Sequence, residues 1–463
     1  MTTVRPVTTS KLSKLPLPLR EGVGGRGASA RWLGALPPLP PTPSLKGRAS
    51  LLVPAPGRAP TFSAPGTALT RRSALLGLTA AVTLGRASLA VAAAPGEQRF
   101  VVVILRGALD GMAAVVPYGD PGLATLRAEL VPPGPGQANG LLDLGGFYGL
   151  HPSLANLHTM FTAGELVPVH AVVGPTRVRS HFEAQDCLES GADHRMTSGW
   201  LNRAVAALPK AAHGRPEGDA LAIGVSVPLL LRGPVTVGSW APHGVMAPPA
   251  DLYAQIAALH RADRITGPAI AEGLQERGFT AAVMASDDPA EPVKDRYAFP
   301  ALARAAGEML HAPDGPRVAA LEIGGWDTHQ AQMSRLAGVL KQLDAGLAGL
   351  KQGLGPAWRQ TAVLVMTEFG RTARANGTKG TDHGTATVAF VVGGAVVGGR
   401  VAGHWPGLGP GKLFEDRDLA PTSDLRSVAK GLLAAHLGVP GGALTTVFPN
   451  SEAAQPMRGL IRT

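Results

Sequence analysis

The run Phe100-Val101-Val102-Val103-Ile104-Leu105 constrains the fold more than any other feature of this chain. Six consecutive apolar residues, four of them β-branched, are too few for a core helix and lack the alternation of a half-solvated strand. They fit a strand buried on both faces, which requires a largely parallel sheet covered by helices on each side. Later segments repeat the theme. Leu166–Val173, Val318–Ile323, Ala362–Met366 and Val388–Val392 read as strands. Helical spacing covers Leu150–Ala163, His181–Ser190, Gln330–Leu350 and Asp424–Leu437. Strands separated by helical stretches predict an α/β domain with a mixed, mostly parallel sheet flanked by helices. The Gly-, Pro- and Ala-rich range 200–312 is expected to be an inserted cap, helical over Leu252–Arg277. The whole domain spans 97–463.

Charge divides the chain differently. Residues 1–95 carry 12 of the 43 Lys and Arg but only Glu21 of the 33 acids, whereas the remainder has 31 bases against 32 acids. A body this close to neutral lacks the electrostatic footprint of a nucleic-acid binder. The single cysteine, Cys187, excludes an intrachain disulfide and a thiolate metal cluster, and is expected to be a small buried residue.

Residues 1–68 mix Pro, Gly, Leu and Arg without period and are expected to be a disordered leader or a start assigned too early. Thr70-Arg71-Arg72-Ser73-Ala74-Leu75-Leu76 then opens an apolar run that ends in Ala90-Val91-Ala92-Ala93-Ala94. Residues 69–94 resemble a twin-arginine export signal with small-residue cleavage sites, so the mature protein is expected to be periplasmic or secreted, having met the twin-arginine translocon. The run is too short and interrupted for a membrane span, and the cleaved product is not expected to be an integral membrane protein.

Ligands of open α/β sheets bind beyond the carboxyl ends of the strands. Four polar clusters flank strands in this way. They are Arg106-Gly107-Ala108-Leu109-Asp110-Gly111-Met112, Gly324-Gly325-Trp326-Asp327-Thr328-His329-Gln330, Thr367-Glu368-Phe369-Gly370-Arg371, and Gly380-Thr381-Asp382-His383-Gly384-Thr385. Singly, each has an ordinary explanation. Asp110 before Gly is a turn former, Glu368 an ion-pair partner for Arg371, and Trp326 a packing residue. Jointly they supply the carboxylates and imidazoles from which a metal site is assembled out of distant segments. A fifth segment, Arg177-Val178-Arg179-Ser180-His181-Phe182-Glu183, puts Ser180 at a helix start. There it is either an N-cap whose box Glu183 completes, or a hydroxyl beside Arg179 placed to meet an anionic ester.

With these motifs the chain resembles, from about Phe100 to Val447-Phe448-Pro449, the bacterial family catalogued as domain of unknown function 1501. That family in turn resembles the alkaline-phosphatase-like, or sulfatase-like, superfamily. The resemblance implies an alkaline-phosphatase-like core and a site for one or two divalent cations (Zn, Mn, Fe or Mg) acting on phosphate or sulfate esters. It places Asp110, Asp327, His329, Glu368, Asp382 and His383 as metal ligands, with Glu322 as an additional acid. Ser180 becomes the nucleophile, and Arg179 or Arg371 the clamp on the ester's oxygens. Two departures are visible. Asp327 and His329 are two residues apart where the superfamily spaces its pair by about a helical turn, and Thr367-Glu368-Phe369 stands where an Asp-His pair is usual. A protein that keeps the fold but only binds a glycan, a lipid headgroup or a partner protein is the competing expectation.

Overall fold

The computed structural model describes residues 97–209, 219–224, 226–242 and 298–462. The segments expected to be a leader (1–68) and an export signal (69–94), and the Leu252–Arg277 helix expected in the cap, lie outside the described residues. Eleven strands occur among those described: β1 (Arg99–Arg106), β2 (Val115–Val116), β3 (Leu142–Asp143), β4 (Gly149–Leu150), β5 (Leu166–Val173), β6 (Ala220–Ile223), β7 (Gly238–Trp240), β8 (Val318–Gly324), β9 (Thr361–Thr367), β10 (Thr387–Val392) and β11 (Ser423–Asp424). Eight form one sheet in the order β11-β5-β10-β9-β1-β8-β6-β7, and β2, β4 and β3 form a small antiparallel one. From β9 through β1, β8 and β6 to β7 every pairing is parallel, while β10 runs antiparallel to both neighbours, β9 and β5. The sheet is therefore mixed and mostly parallel, as the doubly buried β1 run requires.

Alternation along β1 divides the core. Val101, Val103 and Leu105 pack toward helices α4 (Phe299–His311) and α5 (Gln332–Leu354), meeting Phe299, Met309, Leu340 and Leu347. Phe100, Val102 and Ile104 face the opposite layer, where Leu188 of α2 (His181–Ser190), Trp200 of α3 (Trp200–Ala206) and Val428 of α6 (Leu425–Ala435) cover them. Helix α1 (Ala155–Thr162) joins the first layer through Leu157, Met160 and Phe161. Leu336, Leu340, Leu343, Leu347, Leu350 and Leu354 recur every three or four residues and are all buried, which is why α5 holds its course for 23 residues against the sheet. Each such side chain contributes about 1.5–3 kcal/mol by leaving water.

Two expectations need correction. Leu150 starts no helix. It pairs with Val115 in the small sheet, and α1 begins only at Ala155. Within the range 200–312, β6 and β7 extend the main sheet beyond β8, so the described part of that range belongs to the core layer. Short strands of mixed composition such as Ala220–Ile223 carry too little pattern to be separated from a Gly- and Pro-rich surround.

The topology places the site. β1, β8, β9 and β5 all end at one edge, and because β10 is antiparallel the loop before it arrives at the same edge. Five segments meet there. Gly107 (φ +121°) lets the β1 loop press against the next: an added Cβ would lie 2.8 Å from the Asp327 nitrogen. At Gly380 a Cβ would lie 2.3 Å from the His329 carbonyl carbon, so those two loops also touch backbone to backbone.

Candidate metal centre

Three histidines from three segments turn the same nitrogen toward one carboxylate. His181, the first residue of α2, brings Nε2 to 3.7 Å from Asp327 Oδ2. His329 Nε2 lies 3.0 Å from Asp327 Oδ1 and His383 Nε2 lies 3.5 Å from the same oxygen. The last two ring nitrogens are 3.0 Å apart. One ligand atom each from His181, Asp327 and His383 falls within a 4.8 Å span.

What holds the other ring nitrogens decides the chemistry. His181 Nδ1 is 2.8 Å from Glu368 Oε1, His383 Nδ1 is 2.8 Å from the Arg179 carbonyl oxygen, and His329 Nδ1 is 3.2 Å from Asp382 Oδ1. Carboxylates and carbonyls only accept, so the Nδ1 atoms of His181 and His383 carry the proton and donate it, which leaves their Nε2 lone pairs facing Asp327. His329 stands between two carboxylates, Asp382 on Nδ1 and Asp327 on Nε2, so its contacts accommodate either tautomer. His181 Nε2 is buried and has no hydrogen-bond partner. His181 Nε2, His383 Nε2 and an Asp327 oxygen form a compact donor set suited to one divalent transition metal, with His329 Nε2 beside it at 3.0 Å from both Asp327 Oδ1 and His383 Nε2, and these residues fit such an ion.

The electrostatics follow the contacts. The hydrogen bond to Glu368 pushes the His181 imidazole above its ordinary value, whereas burial pulls His383 below it. Burial alone would raise the Glu368 carboxyl, but hydrogen bonds from His181 and Gln185 overcome it and hold the group low. Asp327 also resists burial, because the Arg371 guanidinium donates to it from 2.6 Å.

The chain shares this region with a family. The family described as Protein of unknown function (DUF1501) matches residues 169–448, more than half of the chain. The chain belongs to that family. The match takes in His181, Asp327, His329, Glu368 and His383 but begins after Asp110. No curated protein is found to match the sequence. Among solved structures the chain is similar to "Ps i-CgsB in complex with k-i-k-neocarrahexaose", at 12% identity over 78% of this chain and 77% of that one, with a TM-score of 0.34. It is similar to the C-terminal periplasmic domain of EcEptC from Escherichia coli in complex with Zn, at 8% identity over 65% and 74%, with a TM-score of 0.31. A protein in the alkaline phosphatase superfamily from Vibrio parahaemolyticus is similar at 11% identity over 66% and 62%, with a TM-score of 0.28.

The sequence-predicted residues of this family member divide into three groups. Asp327, His329 and His383 converge. Glu368 and Asp382 stand one step behind, orienting the rings of His181 and His329. Asp110 is engaged elsewhere: its carboxylate, 1% exposed, pairs with Arg127 and accepts from Gln332. Glu322 pairs with Arg106 rather than with a ligand group. Arg371 pairs with Asp327 and donates to Thr381, so the expected Glu368 partnership is not formed. The side chain of Arg179 is spent on Asp418, Glu415 and Thr385, so its part in the centre is its carbonyl.

At Ser180 the capping box is absent. The residue occupies the N-cap position with extended backbone, but its exposed side chain makes no cap hydrogen bond. His181 is a candidate ligand absent from the sequence-predicted set, because the chemistry of its segment was assigned to the Ser180 hydroxyl. A His directly after a strand-following loop was the available signal. Cys187 is buried as expected, and burial raises its thiol to about 11.

Proposed function

We propose that this chain is an exported, metal-dependent hydrolase of phosphate or sulfate esters. The observation that supports this best is the convergence of His181, His329 and His383 on Asp327, with the Nδ1 protons of His181 and His383 directed away from the centre. Such an arrangement of imidazoles and a carboxylate suits a cation. His181, Asp327 and His383, with His329 beside them, would hold a divalent ion, which would supply Lewis-acid polarisation of an ester oxygen. Ser180 is the attacking group in this reading. It lies between Arg179, whose carbonyl receives His383, and His181, whose ring is held by Glu368, so the centre fixes the backbone on both sides of the hydroxyl. Its Oγ gives up its proton and forms the bond to phosphorus or sulfur as the ester bond breaks, and the alcohol leaves with the bonding pair and takes up that proton. Water then cleaves the seryl ester and restores the hydroxyl. Arg371 fixes Asp327 and adds a positive charge beside the ester's oxygens.

Export by the twin-arginine route belongs to the same proposal, since that route carries proteins folded around a cofactor. Among the described residues no helix is long and apolar enough to cross a membrane. The test is direct. Purified protein loaded with Zn, Mn or Mg is assayed against aryl phosphate, bis-aryl phosphate and aryl sulfate, with the chelated protein as control. Metal-dependent turnover of one of them supports the reading, and metal binding without any turnover would replace it with a binding role.

A further inference from the structure

The resemblance to two-metal enzymes makes Asp110 a ligand, yet the structure surrounds Asp110 with permanent donors. We infer that the centre holds a single divalent cation, and that Arg127 takes the charge-neutralising place at Asp110 that a second ion would fill. The inference rests on the metal centre proposed above and specifies its nuclearity.

A carboxylate offers about four acceptor positions. Asp110 Oδ1 receives the Ala113 N–H at 3.2 Å and Arg127 Nη1 at 2.9 Å. Asp110 Oδ2 receives Arg127 Nη1 at 2.8 Å and Gln332 Nε2 at 2.7 Å. Arg127 is not a loose lid on this pair. It is 2% exposed, its Nε donates to the Ala373 carbonyl at 2.8 Å, and its Nη2 donates to the Thr372 carbonyl. A cation on Asp110 would have to displace Arg127 Nη1 and sit against a guanidinium still anchored to both carbonyls, two like charges in a dry interior, which is far costlier than leaving the pair alone.

Glu368, the other carboxylate a second ion would need, is equally occupied. Its Oε1 faces donors from Gly107 N at 2.8 Å, His181 Nδ1 at 2.8 Å and Gln185 Nε2 at 2.9 Å, and its Oε2 faces Thr367 Oγ1 at 2.8 Å. Asp382 is engaged by His329 and Asn376. What remains is Asp327 with the Nε2 atoms of His181 and His383 inside a 4.8 Å span and His329 Nε2 beside them, a set that serves one ion and no more. Arg371, with its side chain wholly buried, supplies the second positive charge from within the chain by donating to Asp327 Oδ1.

Zn²⁺ titrated into metal-stripped protein, with the bound metal counted by elemental analysis after desalting, should reach one equivalent per chain. Two equivalents, or none, overturn the inference. Asp110→Asn keeps an acceptor for Arg127, and it should retain one equivalent with an affinity within about threefold of the parent while its melting temperature falls. Asp327→Asn should lose at least tenfold in affinity. Metal lost from Asp110→Asn with an unchanged melting temperature would make Asp110 a ligand and overturn the inference as well. The hydrolase reading fails separately: a chain that binds one equivalent but turns over no ester refutes that reading and leaves the single-ion centre standing.

Discussion

Glu368 touches no predicted substrate position, yet replacing it should weaken the metal centre in two graded steps. Its Oε1 accepts from Gly107, His181 and Gln185, and its Oε2 faces the Thr367 hydroxyl, which also reaches the Leu105 carbonyl at 2.8 Å. Glu368→Gln can keep all of this. The amide oxygen takes the three donors, the amide nitrogen donates to Thr367 Oγ1, and Thr367 turns its own proton to Leu105. What is lost is the charge that makes His181 more basic. Loss of a ring-orienting partner costs 10–100-fold in metal affinity, and the neutral amide should fall at the lower end, about tenfold or ~1.4 kcal/mol. Glu368→Ala removes the acceptor altogether. It frees the His181 ring to carry its proton on Nε2, so the loss should be about 100-fold or ~2.7 kcal/mol. It also strands the buried Gly107 N–H, at about 1–3 kcal/mol, and frees the half-buried Gln185 amide, which should lower the melting temperature of the Ala variant alone. Competition with a chromophoric chelator gives the affinities, and imidazole ¹⁵N shifts give the His181 tautomer. A Kd within twofold of the parent in Glu368→Ala, or equal losses in both variants, would refute the reasoning.

Three further outcomes follow from particular contacts. Burial takes His151, His170 and His436 down to about 4; His170, for example, accepts from Ala171 N on Nδ1 and donates to the Val115 carbonyl. The unfolded chain binds these protons near pH 6.5 and the folded one does not. Their stabilisation is therefore present above pH 6.5 and lost toward pH 4, on the order of 3 kcal/mol per ring. A urea midpoint that does not fall between pH 7.5 and 5 would contradict this. Ser180→Ala deletes a hydroxyl that caps nothing, so stability should change by less than about 0.5 kcal/mol while ester turnover disappears; retained turnover would exclude the seryl intermediate. Arg71→Lys with Arg72→Lys should leave an uncleaved precursor in the cytoplasm, and cleaved protein found outside after fractionation would defeat the twin-arginine reading.

Legibility in the sequence followed burial. The strands that are apolar on both faces, β1, β5, β8, β9 and β10, stand out because nothing but a covered sheet accepts such runs, and Leu166–Val173 coincides with β5 end to end. The polar loops after them were legible as a set, since carboxylates and histidines gathered at strand ends have few shared explanations. Their division into ligands and supports was not. Asp110 reads like a metal ligand because Arg127, 17 residues later, ends a six-residue helix (Gly122–Arg127) whose destination no local pattern announces. Asp382 and His383 are adjacent, yet the carboxylate serves His329 while His383 relies on a backbone carbonyl from Arg179. Such assignments depend on which loops touch, and contacts such as Gly107 to Asp327 and Gly380 to His329 exist only once the sheet order has brought the loops together.

The same welded backbones determine how the protein should respond to metal removal. In small zinc domains the ion is the core, and chelation unfolds them. Here the loops that carry the candidate ligands hang from β8, β9, β10 and β5, whose apolar side chains are buried in the sheet layers without help from the centre. The rings of His181 and His383 are already fixed through Glu368 and the Arg179 carbonyl, so binding has little ordering left to do. The chelated protein should therefore keep its far-ultraviolet circular dichroism and a cooperative melt. Added Zn²⁺ should raise the melting temperature only by the linkage term, about 2.7 kcal/mol at a free concentration one hundred times Kd. A stabilisation that exceeds this value at a measured Kd would show that part of the fold is organised by the ion. Collapse of the spectrum on chelation would carry that conclusion further, making the sheet edge a product of the metal rather than the scaffold that receives it.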